Sequence, residues 1–240
     1  MKRLLTSVTI TLGLWVCLSG AAYAQLKNDF ELNVFGAGAW YVTKHYSIGF
    51  PQVISAAPIP GQMKFGTAWR GGVRFGVATH GHWSEEFFYS YEPNEVHFTR
   101  SNAPITTVNL KTQVHNYGVN ALYYFNEDSV RVRPFVSIGL GGTLFRLTPE
   151  AQAIANSPLG DNLRTAHNSN ELAMNYGVGV KTRGTRWLGF RADGRGFIAR
   201  SPNFGLPRES SNPGVSVLPV FGGINSAEVS AGVVFYFFDR

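Results

Sequence analysis

Alternation with a period of two, sustained over segments of ten or more residues, limits this chain more than any other feature. From Phe30, one parity reads Phe30, Leu32, Val34, Gly36, Gly38, Trp40 and Val42, and the other reads Glu31, Asn33, Phe35, Ala37, Ala39 and Tyr41. A second segment sets Trp69, Gly71, Val73, Phe75 and Val77 against Arg70, Gly72, Arg74, Gly76 and Ala78. On a strand each set falls on one side, so one face is apolar and the other carries the charge. The pattern recurs around Phe87, Tyr117, Val136, Val178, Phe190 and Val233, which gives eight strands.

Past residue 24 no window of 18 consecutive apolar residues occurs, so the chain has no spanning helix to offer. Residues 1–24 read as a secretory signal peptide. Lys2 and Arg3 form the charged start, Leu4 to Leu18 the apolar stretch and Ala22-Tyr23-Ala24 a small-x-small cleavage site, so the mature chain begins near Gln25. Losing two cations and no acid lowers the formal charge from +6 to +4, a mild excess that is no nucleic-acid footprint. The single cysteine, Cys17, follows Val16 where a lipoprotein signal needs a small residue, and it leaves with the signal. An exported chain without cysteine has no disulfide framework and no thiolate chemistry.

The connections add topology. Three are short, around His80-Gly81-His82, Asn126-Glu127-Asp128-Ser129 and Gly184-Thr185-Arg186; four are long, near 43–64, 93–108, 146–171 and 200–224. Alternation of long and short predicts an all-β, eight-stranded antiparallel up-and-down transmembrane barrel, with short periplasmic turns, long extracellular loops and both termini in the periplasm. A soluble barrel would share the alternation. Its charged face would be the solvated exterior, however, whereas here that face mixes Arg with Gly and bulky aromatics, a composition suited to a filled lumen. Trp40, Trp69, Trp83, Tyr89, Tyr91, Tyr123 and Phe125 cluster near strand ends, as interfacial girdles require. The sequence therefore places the chain in the bacterial outer membrane, with outer-membrane lipids as its surroundings.

Two segments carry a family resemblance: Arg131-Val132-Arg133-Pro134-Phe135-Val136-Ser137-Ile138-Gly139-Leu140-Gly141-Gly142, and the C-terminal Ser230-Ala231-Gly232-Val233-Val234-Phe235-Tyr236-Phe237-Phe238. On these the mature chain resembles the small outer-membrane barrels of the OmpA and OmpW types. The resemblance implies that Gly232, Phe235, Phe237 and Phe238 form a membrane-insertion signal recognised by the barrel-assembly machinery. Asp239 and Arg240 follow the final aromatic, a departure from members that end on Phe.

An eight-stranded wall leaves room only for side chains. The inward parity supplies Glu31, Arg70, Arg74, Glu86, Arg131, Arg133, Lys181, Arg191, Asp193, Arg195 and Glu228, which predicts a network of paired charges, with a narrow ion path as the alternative. Candidate chemistry is thin. His80 and His82 could share a metal ion on a strand, but no third ligand lies nearby in sequence, and no metal or cofactor is expected. His167-Asn168-Ser169 with Glu171 resembles the arrangement in outer-membrane lipid A deacylases and would suit acyl transfer, but it is a short string in a Ser/Asn-rich loop and reads as a solvated segment. The Gly-x-Gly strings lie inside strands, not on phosphate-binding turns. Pro149 to Asn156 could form a short helix. Three functions follow: a non-enzymatic barrel acting in envelope structure or surface contact through its loops, a narrow transporter of small or hydrophobic molecules, and a lipid-modifying enzyme.

Overall fold

The computed structural model describes residues 29–42, 46–48, 61–78, 81–100, 107–127, 129–157, 166–212, 215 and 217–237. The signal-peptide assignment, His80 and Phe238 lie outside them. Ten strands form one sheet: β1 (Asp29–Tyr41), β2 (Tyr46–Ile48), β3 (Gly61–Phe65), β4 (Ala68–Ala78), β5 (Trp83–Arg100), β6 (Thr107–Tyr124), β7 (Val132–Leu147), β8 (Ser169–Arg183), β9 (Leu188–Arg200) and β10 (Gly223–Phe237). Their order is β2-β3-β5-β4-β1-β10-β9-β8-β7-β6, and β6 pairs back onto β5. Leaving out β2 and β3, the other eight close into an antiparallel barrel. No described helix is long and apolar enough to cross a membrane, and in hydrocarbon a closed sheet is the other way to pair every backbone group.

Side-chain parity turns the barrel inside out relative to a soluble one. Val73, Phe75, Phe87, Ile138, Leu140, Val178, Phe190 and Val229 point out and are exposed, whereas Arg70, Arg74, Glu86, Arg191 and Asp193 point in and are buried. The wall needs glycine where backbones approach closely. A Cβ at Gly232 would stand 2.5 Å from the Val34 carbonyl oxygen and 2.8 Å from Phe35 Cβ.

The segment near 43–64, read from sequence as a loop, contains β2 and β3, and the one near 93–108 is mostly strand. β3 continues β4 along β5 after a bulge. Gly71 faces Tyr91 while Phe65 faces Val96, so five residues on one side oppose four on the other. The Asn94 side chain ties the bulge, accepting from Gly66 N at 3.1 Å and donating to Gly66 O at 3.0 Å. Pro93 falls at this irregular point, where a missing ladder donor is tolerated.

Beyond the bulge the barrel's long-loop end is filled by an apolar cluster. Strand residues Met63, Phe65, Val96, Leu110, Val114 and Phe145 meet Leu206, Leu218 and Val220 from the β9–β10 connection and Ala151 from helix α1 (Pro149–Ala155). The helix forms where expected: Thr148 caps it by accepting from Ala151 N, and proline opens its first turn.

Candidate functional site

The charged residues of the inward parity converge in the lumen. Arg70 grips Glu92 through Nε at 2.9 Å and Nη2 at 2.5 Å, and reaches Glu228 through Nη1 at 2.7 Å. Arg74 donates to Asp193 at 2.8 Å, Asn33 at 3.1 Å, Ser230 at 3.0 Å and the other oxygen of Glu228 at 3.3 Å. Arg191 and Arg195 both hold Glu86, at 2.5 and 2.7 Å, and both hold Asp193, at 3.2 and 2.6 Å. Four guanidinium groups thus interlock with four carboxylates, each carboxylate in contact with one or more arginines. Toward the short-turn end, Lys181 Nζ meets Glu31 Oε2 at 2.6 Å as a fifth pair.

The inward aromatics have a place in this arrangement. Arg74 lies 3.6 Å above the Phe35 ring centroid, Arg191 4.4 Å above Phe135 and Arg70 4.9 Å above Phe197. Rings fill the lumen where a further charge would need a partner, and each supplies a negative face to a cation. Pairing in this form is what a narrow, poorly hydrated interior demands, since removing one partner strands the other.

Of the eleven charges assigned to the lumen from sequence, seven are in the four-arginine network (Arg70, Arg74, Glu86, Arg191, Asp193, Arg195 and Glu228) and two, Glu31 and Lys181, form the separate pair. Arg133 stands at the short-turn mouth, donating to the carbonyls of Gly81 at 2.9 Å and Asn126 at 3.2 Å, with its guanidinium 4.0 Å above Tyr124. Arg131 is a correction. It precedes the first residue of β7 and is exposed in the turn, because β6 has already ended there and only β8 still pairs with it, so parity no longer fixes the side chain's direction. Glu92 was missed. It is fully buried and also accepts from Tyr41 at 3.1 Å and Asn94 at 2.5 Å. Glu86, Phe88, Ser90 and Glu92 share one parity, so the signal was present one step beyond the assumed strand end.

The remaining candidates separate. Ser169 Oγ lies 2.8 Å from Glu171 Oε1 and 3.0 Å from Asn203 Oδ1, so two acceptor oxygens compete for its proton. His167 is exposed, and its backbone N–H donates to Phe204 O at 2.8 Å. His82 Nδ1 lies 2.6 Å from Tyr124 O, and its ring stacks on Tyr123. No cluster of three metal-ligating side chains occurs among the described residues. In the insertion segment, Phe237 is exposed on the outer wall, Phe235 half-buried on the same face, and Gly232 on the opposite parity.

Among solved structures the fold is similar to outer membrane protein OprG from Pseudomonas aeruginosa, at 12% identity and a TM-score of 0.52, covering 89% of this chain and 97% of that one. It is also similar to outer membrane protein AlkL in DMPC lipid bilayers, at 12% identity and a TM-score of 0.50, covering 90% of this chain and 92% of that one. At such identity the likeness concerns the fold. No curated protein matches the chain. The model of the outer membrane protein beta-barrel domain matches residues 11–237, and with a closed eight-stranded wall, an apolar exterior and a charged lumen beneath that match, the chain belongs to this family and resides in the bacterial outer membrane.

Proposed function

We propose that this protein is a closed, non-enzymatic element of the outer membrane, contributing to envelope structure or surface contact through the loops of its long-loop end, which faces outward. The charge network carries this reading. Interlocked Arg70, Arg74, Arg191 and Arg195 with Glu86, Glu92, Asp193 and Glu228 occupy the space an aqueous path would need. The motif around Gly232, Phe235 and Phe237 would address the chain to the barrel-assembly machinery. Planar-bilayer recording of the refolded protein tests the closed state: no steady single-channel conductance is expected, and a stable conducting level overturns it.

One observation favours a second reading, a narrow path for small hydrophobic molecules. The long-loop half of the barrel is filled by a mainly apolar cluster that includes Met63, Phe65, Val96, Leu110, Val114 and Phe145, so a molecule displacing the β9–β10 connection from it would meet an apolar lining. Entry of an apolar fluorescent dye into cells, compared with and without the protein, separates the two readings. Faster entry without ion conductance favours the path.

A further inference from the structure

Arg131 and Arg186 stand on adjoining turns at the short-turn end. Arg183 N donates to Arg131 O at 2.8 Å, joining the β8 end to the turn before β7, and Arg186 lies in the turn from β8 to β9. Both side chains are exposed, and neither has an ion pair among the described residues. Among the described residues the other charged groups of these two turns are Glu127, exposed, and Arg183, whose guanidinium is turned onto the Tyr236 ring at 4.6 Å; Asp128 of the first turn lies outside the described residues. Arg133 is turned to the lumen mouth. Beside Arg186, Trp187 is 56% exposed, and Phe125 and Val132 are exposed at the same end. This is the aromatic level at which lipid headgroups sit.

Directly above these arginines the outer wall is hollowed. A shallow groove of about 490 Å³ runs over β7 to β10, walled by Pro134, Val136, Val178, Val180 and Val229 and floored by Ala192 and Gly194. The floor is low because β9 places small residues outward here. A Cβ on Gly194 would meet only the Glu228 carbonyl oxygen, at 3.9 Å, so the space is open to a side chain or a guest. On the outward face one residue pair, Thr182 with Phe190, separates the groove from the β8–β9 turn.

We infer that this sector of the wall holds one anionic phospholipid, with an acyl chain along the groove and the phosphate between Arg131 and Arg186. An apolar groove in hydrocarbon is filled by acyl chains in any case; the unpaired cations at its end select the headgroup. Planar guanidinium groups suit phosphate oxygens in a bidentate manner. The site depends on the membrane-spanning barrel but not on a closed lumen, so a conducting barrel would leave it standing.

Native mass spectrometry of the mature protein, purified in detergent and offered equal amounts of phosphatidylglycerol and phosphatidylcholine, tests the site. One retained phosphatidylglycerol is expected. Arg131→Gln and Arg186→Gln should each reduce its preference over phosphatidylcholine by about fivefold, the effect of one basic group at a lipid surface. Gly194→Leu should abolish retention of both lipids while leaving heat-modifiable gel migration intact. Should that variant fail to assemble, Val229→Trp narrows the groove from its other wall. Equal retention of the two lipids by the unmodified protein overturns the inference, as does retention undiminished by filling the groove. Displacement of the lipid by inorganic phosphate would overturn the acyl-chain half, leaving a site for phosphate alone.

Discussion

Arg70 Nη1 lies 2.7 Å from Glu228 Oε2, although 158 residues separate them in the chain. They belong to β4 and β10, which are not neighbours: β1 runs between them. The contact crosses β1 where its inward residues are Ala37 and Ala39, which face Arg70 and Glu228 respectively. Small side chains on the first strand therefore let charges on the strands beside it meet, and the ion pair braces the seam where the chain's last strand closes on its first.

Glu86 should be the most damaging single truncation in the lumen. It accepts from Arg191, Arg195 and Asn120, so Glu86→Ala leaves two buried guanidinium groups short of a counter-ion. Breaking a buried pair costs roughly 3–5 kcal/mol, with less expected if water enters. The temperature at which the folded band disappears in heat-modifiable electrophoresis should fall well below that of the unmodified protein. An unchanged transition would mean that the network contributes nothing to stability.

The exposed apolar wall predicts how the protein fractionates. It should sediment with the outer membrane and stay there through carbonate extraction, because Val73, Phe75, Ile138, Val178 and Val229 would otherwise meet water. Recovery from the soluble periplasm would contradict a lipid-facing surface.

Insertion should depend on the last strand. Phe237 is 42% exposed and Phe235 shares its face; replacing both with Asp puts charge on a surface that must enter hydrocarbon. Charged substitutions on this face cost about 2 kcal/mol or more near the midplane and less toward an interface. Low surface levels and periplasmic degradation are expected, and normal assembly would refute the role of these aromatics.

Much of this is legible in the sequence, for a physical reason. A membrane barrel must keep its side-chain parity unbroken across the bilayer, so alternation alone placed Arg70, Arg74, Arg191 and Arg195 inward. Parity fails where a strand loses a neighbour, and Arg131, past the last pairing with β6, therefore lies in the turn and not in the lumen. The converse hides Glu92: Pro93 and the polar residues after it mark a connection near 93–108, although β5 continues through Pro93 to Arg100 by means of a bulge. The apolar cluster of the long-loop half escaped notice because Leu206, Leu218 and Val220 come from a connection whose prolines and polar residues mark it as loop. No periodicity announces a loop that folds back into a barrel.

The Lys181–Glu31 pair offers a test of what the buried charges are for. It stands apart from the four-arginine network, and its ammonium group also lies 4.6 Å from the Tyr124 ring centroid. Glu31→Leu alone should destabilise the barrel, because it leaves a buried ammonium facing only rings. Replacing both residues, Lys181→Met with Glu31→Leu, removes the two charges together. Buried pairs exchanged for apolar side chains of similar volume are often neutral or stabilising by about 1–4 kcal/mol. The double variant should therefore recover most of the stability lost in the single one, as read from the unfolding midpoint in denaturant. Recovery would mean that this pair serves register and closure more than net stability. If the double variant is as unstable as Glu31→Leu, the apolar replacement does not fit the mouth, and the charges there are needed for packing around Tyr124 as well as for each other.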